Sequence, residues 1–277
     1  MYIPELIRKE GLRRGLSHKT IKTYNHCVRK FFSKCPKQPN EVKKADVKDF
    51  LDNLIDKGAG GNTINVYLNA IKFFYGQVLN RKLVLYIKYS KTPKSLPTVL
   101  TKEEVLSLIG AIDNPKHRLM AELIYSAGLR VSELVHLKAK DLELDKNYGW
   151  VRKGKGNKDR LFIIANNLKN NLLVHISKNC YNRDSYVFSG QKQGHISVMT
   201  IQKIIKKAAK KAGILKNVHP HTLRHSFATH LIENNYDVFS LQSLLGHNSP
   251  QTTMAYVHTA SQNMINVKSP FDSLEQA

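Results

Sequence analysis

Apolar residues recur at three- and four-residue steps along much of this chain, the spacing of helices that bury one face. Ile21, Tyr24, Val28, Phe31 and Phe32 form one such stripe behind Ser17, a natural helix cap. Val47, Phe50, Leu51 and Leu54 form a second. Ile64, Tyr67, Leu68, Ile71, Phe74, Tyr75 and Val78 form a third, entered through "GAGGN" with Asn62 as its cap. Residues 1–87 therefore read as all helix. The period disappears over residues 88–100, "KYSKTPKSLPTVL", where prolines and lysines predict an extended linker.

Helical spacing resumes near Thr101, with Glu103 and Glu104 in the first turn. It gives way once to a strand pattern: "GWVRKGKGNKDRLFII" (149–164) has β-prone ends around a glycine-rich centre, which predicts a hairpin. A further helix, a short strand at Tyr186–Phe188 and an inward-facing helix over 198–212 (Ile201, Ile204, Ile205, Ala208, Ala212) follow. The expected fold is mainly α with a small β-sheet, an α+β chain. Its helical domain spans 1–87, its linker 88–100, its second domain 101–258 and its tail 259–277.

Charge narrows the partner. Lys and Arg number 44 against 21 Asp and Glu, a net +23, and the excess lies in both parts of the chain. Such a surface attracts a polyanion, and nucleic acid is the usual one. Lys19, Lys22 and Lys72 on the N-terminal helices, with Lys158 and Arg160 in the hairpin, are candidate DNA contacts. No apolar run is long enough to span a bilayer, and no signal peptide is apparent. Cys27, Cys35 and Cys180 are scattered and form no CxxC pair, which fits a reducing, cytoplasmic setting.

Chemistry concentrates in "NVHPHTLRHSFATHL" (217–231), which gathers His219, His221, His225, His230 and Arg224. Pro220 breaks any earlier helix, His221 sits just before the first turn, and Leu223, Phe227 and Leu231 face the core while Arg224 and His225 point elsewhere. An arginine and a histidine beside a helix start make a phosphate cradle. A zinc site on His221 and His225 competes with this, but lacks the HExxH glutamate and any nearby cysteine; purely structural histidines are the third possibility. "LIYSAGLRVSELVHL" (123–137) sets Arg130 in apolar company, with Glu133 either its buried partner or the group that aims it. In "DVFSLQSLLGHNSPQTTMAYVH" (237–258), Asp237 caps a helix that stops at Gly246. His247 follows, Ser249 and Pro250 open another helix, and Tyr256 lies on it, either a core aromatic or a reactive phenol.

"AGLRVSEL", "GKGNKDR", "HPHTLRHSFATHL", "LLGHNS" and "TTMAYVH", in that order, resemble the motifs of tyrosine site-specific recombinases, most closely the Xer type and its archaeal branch. The resemblance covers the C-terminal 180 residues strongly; the N-terminal part shares the helical plan and "GLSHKTIKTYNHCVRKFF". It implies a two-domain DNA clamp, with a helical core-binding domain and a catalytic domain. Arg130 and Arg224 would hold the scissile phosphate, with Glu133 orienting Arg130. Lys155 would protonate the leaving 5′-oxygen, although Lys153 and Lys158 are equal candidates from the residues alone. His221 would assist proton transfer, His247 would bond a phosphate oxygen, and Tyr256 would be the nucleophile. Duplex DNA is the implied partner, in a homotetramer on two sites with exchange of tails between subunits. No cofactor, metal or small-molecule substrate is expected. The implied task is Xer-like resolution of chromosome or plasmid dimers, with a mobile-element integrase or a type IB-like topoisomerase as alternatives.

Overall fold

The computed structural model describes residues 2–81, 86–91, 96–152, 154, 159–190, 194–246, 253, 254 and 256. The chain divides into two compact units, Met1–Lys94 and Ser95–Ala277.

The first unit is helical: α1 (Ile3–Arg13), α2 (His18–Lys34), α3 (Lys44–Asp56) and α4 (Gly61–Phe73), the last running into a π-helical turn at Phe74–Val78. Ser17 caps α2 as expected, its Oγ accepting the Thr20 N–H at 3.1 Å. The expected cap at Asn62 is displaced. Gly60 is the residue with extended backbone before α4, and Asn62 already lies inside the helix. The three apolar stripes meet in one core, where Phe31 packs edge-on against Phe32 and Phe50, and Phe50 against Tyr67.

The second unit is built around α6 (Pro115–Ala127), whose Leu119, Met120, Leu123, Ile124 and Ala127 are all buried. Around it lie α5 (Lys102–Gly110), α7 (Val131–His136), α8 (Asn166–Asn179), α9 (Val198–Lys211), α10 (Pro220–Glu233) and α11 (Val238–Leu245). Strands β1 (Leu142–Glu143), β2 (Tyr148–Val151) and β3 (Arg160–Ile163) form an antiparallel sheet in chain order. Tyr148 pairs with Ile163 and Val151 with Arg160, so the expected hairpin is present. The strand expected at Tyr186–Phe188 is reduced to isolated bridges, Lys138 to Tyr186 and Ser189 to His195. The expected class holds: the chain is mainly helical with a small sheet.

Two glycines are required by backbone geometry. Gly128 ends α6 at φ +57°, and a Cβ there would run into the Phe227 ring. Gly246 ends α11 at φ +61°. Both lie in the left-handed region where glycine alone is unstrained.

Candidate active site

The site is assembled from three helix ends. Gly128 turns the chain out of α6, and Arg130 becomes the N-cap of α7. Its backbone N–H donates to Glu133 Oε2 at 2.8 Å and its guanidinium to Glu133 Oε1 at 2.7 Å. Glu133 also receives Arg160 at 2.6 Å and lies 3.9 Å from Arg224. Burial alone would raise this carboxyl, but Arg160, Arg130 and Arg224 together hold it below its ordinary value. Glu133 is thus one buried anion shared by three arginines.

Helix α10 starts at Pro220, two residues earlier than expected. His219 is its N-cap, exchanging hydrogen bonds with Thr222, and His221 lies within the first turn. Leu223 and Phe227 are buried as expected, and so is Arg224, because α10 is enclosed on most of its circumference. Arg224 donates to the carbonyl of Gly128 and, at 2.7 Å, to that of Leu245. Burial and the neighbouring Arg130 lower its guanidinium to about 10, so it remains charged at neutral pH.

The end of α11 is held in an unexpected way. The Leu244 carbonyl accepts from Arg160 at 2.5 Å, that of Leu245 from Arg224 at 2.7 Å and that of Gly246 from Arg130 at 3.1 Å. Carbonyls at a helix C-terminus have no intrahelical partner and carry the negative end of the helix dipole. Three successive ones are here satisfied by three guanidinium groups. Nothing in the local sequence of any arginine signals this, because each contact spans 21 or more positions.

Tyr256 is helical and 3% exposed. Its phenol oxygen is 3.0 Å from Nδ1 of His225 and is also hydrogen-bonded by Arg224. Burial raises the phenol above its ordinary value, and Arg224 and Arg130 oppose that rise. The remaining histidines divide by position. His221 is lowered by burial and by His219, Arg224 and Arg130. His230 is tied to the Tyr125 hydroxyl at 2.9 Å, a structural contact. His225 meets the phenol although the sequence pattern set it facing away. Its signal was present, since it follows Arg224 directly and lies one helical turn after His221.

The structure therefore brings together Arg130, Glu133, His221, Arg224 and Tyr256. Lys155, Lys158, His247 and the tail 259–277 lie outside the described residues. Lys19 and Lys22 are exposed on α2. Lys72 is half-buried, donating to the Ile87 carbonyl at 2.9 Å with its ammonium 4.2 Å from the Tyr89 ring centre. Arg160 is largely buried: its side chain is 9% exposed and engaged with Glu133 and the Leu244 carbonyl. Among the described residues no helix is long and apolar enough to cross a membrane.

Clustered guanidinium groups around a buried phenol can neutralise a phosphodiester's non-bridging oxygens and favour the phenolate as it attacks. Comparison with known proteins agrees with this chemistry. Residues 98–263 match the phage integrase family, and residues 5–84 match the phage integrase N-terminal SAM-like domain. A tyrosine recombinase of Thermosipho africanus is 35% identical over 260 residues, covering 89% of this chain and 90% of its own length. The tyrosine recombinase XerA of Pyrococcus horikoshii is 34% identical over 253 residues, covering 90% of this chain and 86% of its own. Among solved structures, the XerH site-specific recombinase bound to palindromic difH in a post-cleavage complex matches with a TM-score of 0.71 and 25% identity, over 94% of this chain and 82% of that one. The chain belongs to the phage integrase family, and it is a tyrosine recombinase that acts on DNA.

Proposed function

We propose that this recombinase cuts each strand at a phosphate held by Arg130 and Arg224, with Tyr256 as nucleophile, forming a 3′-phosphotyrosyl bond and freeing a 5′-hydroxyl. Two fixed cations neutralise the diester and the charge that builds in the transition state, so the step needs no metal. The 5′-alkoxide is a strong base, and Lys155 supplies its proton; such donors contribute about 10²–10⁴-fold. Glu133 aims Arg130, His247 bonds a phosphate oxygen, and His221 assists proton transfer. The new ester keeps the energy of the old one, so a 5′-hydroxyl from another strand reseals it without a cofactor. The observation that carries this reading is the Tyr256 phenol lying in hydrogen-bond contact with Arg224.

The two units, 1–87 and 101–258 joined by the linker 88–100, act as a clamp on duplex DNA. Lys19, Lys22, Lys72 and Lys158 are its backbone contacts. Four copies join two DNA sites, and the tail 259–277 docks on a neighbouring copy. The natural task is Xer-like resolution of chromosome or plasmid dimers in the cytoplasm, at the nucleoid. This is supported by Xer-named relatives along most of the chain. A mobile-element integrase is the second reading, favoured by an integrase/recombinase of Escherichia coli at 32% identity over 302 residues.

Covalent capture on genomic DNA tests both parts. Wild-type protein, trapped by denaturant on nicked genomic fragments, should carry DNA through a 3′-phosphate on the peptide containing Tyr256. Tyr256→Phe should carry none while binding DNA within about threefold of wild type. Adducts in the Phe variant would remove Tyr256 as nucleophile. Adducts mapping to one chromosomal locus support dimer resolution; adducts at the ends of a mobile segment support the integrase.

A further inference from the structure

His225 has no part in the assignment above, yet its Nδ1 lies 3.0 Å from the oxygen of the proposed nucleophile and its ring centre 5.5 Å from the tyrosine ring. We infer that His225 is a further catalytic residue: its Nδ1 takes the phenol proton as Tyr256 attacks phosphorus, and returns it when the strand is resealed. The inference rests on Tyr256 being the nucleophile.

The direction of the proton follows from the other partner of the phenol. Arg224 hydrogen-bonds the same oxygen, and a guanidinium can only donate. The phenol oxygen accepts from Arg224, so its own O–H is the hydrogen left for His225. Nδ1 is then the bare nitrogen of a neutral ring protonated at Nε2. Burial, and after it His221, Arg224 and His219, push this imidazole down to about 4, so the neutral form prevails at physiological pH.

A base that weak would serve a free phenol poorly, but two changes accompany the reaction. The diester brings a negative charge beside Arg224 and Arg130, offsetting the cations that depress the imidazole. The phenol oxygen also loses basicity as its bond to phosphorus forms. Bond changes balance: Tyr256 Oη–P forms, P–O5′ breaks, the phenol proton passes to His225 Nδ1, and the 5′-oxygen receives a proton from the acid on the leaving side. Resealing reverses each. The groups that face His225 are His219, His221 and Arg224 on its own helix and Tyr256 across from it; Arg130 and Glu133 act beyond them on His221, and Arg130 also on Tyr256. His221 lies one turn earlier, its ring centre 6.4 Å from that of His225, where it tunes the base.

The test uses the full chain and a nicked duplex carrying the cleavage site recovered by covalent capture, made with either a normal or a 5′-bridging sulfur linkage. Sulfur leaves without a proton donor, so a defect on the leaving side is rescued and one on the nucleophile side is not. His225→Ala should cut single-turnover cleavage about 10²-fold on both linkages, the range of a lost general base, with DNA affinity within about threefold. His225→Asn, whose amide can still meet the phenol but takes no proton at neutral pH, should bind normally, stay slow and lose the acidic limb of the rate–pH profile. Wild-type rates in His225→Asn, rescue of His225→Ala by sulfur, or an acidic limb that survives in His225→Asn and vanishes in His221→Asn would each overturn the inference. If adducts form on a residue other than Tyr256, it is the nucleophile assignment that has failed instead.

Discussion

Arg160 and Glu133 meet at 2.6 Å with side chains 9% and 5% exposed, and the same arginine reaches the Leu244 carbonyl at the end of α11. The pair links the hairpin to α7, which Arg130 caps, and to the segment leading towards Tyr256. Removing one partner of a buried pair typically costs about 3–5 kcal/mol. Glu133 keeps two other arginines, so Arg160→Met should fall at or below the lower end. Cleavage should drop with it while DNA affinity holds and the salt dependence of binding keeps its slope. A slope reduced by about one unit would return Arg160 to the DNA backbone.

Gly246→Ala should damage the same arrangement from the other side. The position has φ +61°, and a Cβ there would lie 2.7 Å from Arg160 Cδ and 3.2 Å from its Nε. Left-handed backbone costs a non-glycine residue about 1–2 kcal/mol, and displacement of Arg160 adds to it. A lower melting temperature with slower cleavage is expected; unchanged cleavage would mean that the arginine clamp on α11 is dispensable.

Ser226 couples the start of the second unit to α10. Its Oγ accepts the Leu100 N–H at 2.9 Å and donates to the Thr222 carbonyl at 2.9 Å, with Leu100 and Ser226 both fully buried. Ser226→Ala leaves a buried amide unpaired, a loss of about 1–3 kcal/mol. Differential scanning calorimetry should show the second unit melting several degrees lower and the first unchanged.

Stability should fall on acidification, and the sign follows from His225. Its folded value, about 4, lies below the ordinary 6.5, so the unfolded chain binds the proton first. Stability is complete above about 6.5, declines as pH falls towards 4 and is flat below, for a total of about 3 kcal/mol from this group. His117, His175, His221 and His230 are also lowered by burial and act in the same direction. His225→Asn should therefore lose less melting temperature between pH 7 and 4.5 than wild type does; parallel curves would contradict the burial of this imidazole.

Arg224→Lys tests shape against charge. A lysine keeps the positive charge but cannot reach the Gly128 carbonyl, the Leu245 carbonyl and the phenol together. Cleavage should fall at least about 10²-fold, far more than affinity, and wild-type cleavage should be unchanged in EDTA. Loss of wild-type activity in EDTA would require a metal in the step.

Period and punctuation in the sequence determined a good deal. Ser17, Thr101 and Asp237 cap the helices they precede, Gly128 and Gly246 end theirs, and the 149–164 pattern is a hairpin. These depend on neighbours within a turn or two, where side-chain chemistry acts on its own backbone. Asn62 is not the cap: Gly60, two residues earlier, takes the extended cap conformation. The motif residues could be named from their types and order, but their partners could not. Arg160 reads as a hairpin cation available to DNA and is largely buried on Glu133; His225 reads as facing away and meets Tyr256, 31 positions on. The three carbonyls of α11 that bind three arginines were likewise decided only by tertiary structure. Contacts between residues far apart in the chain arise when helices pack, and local spacing holds no record of them.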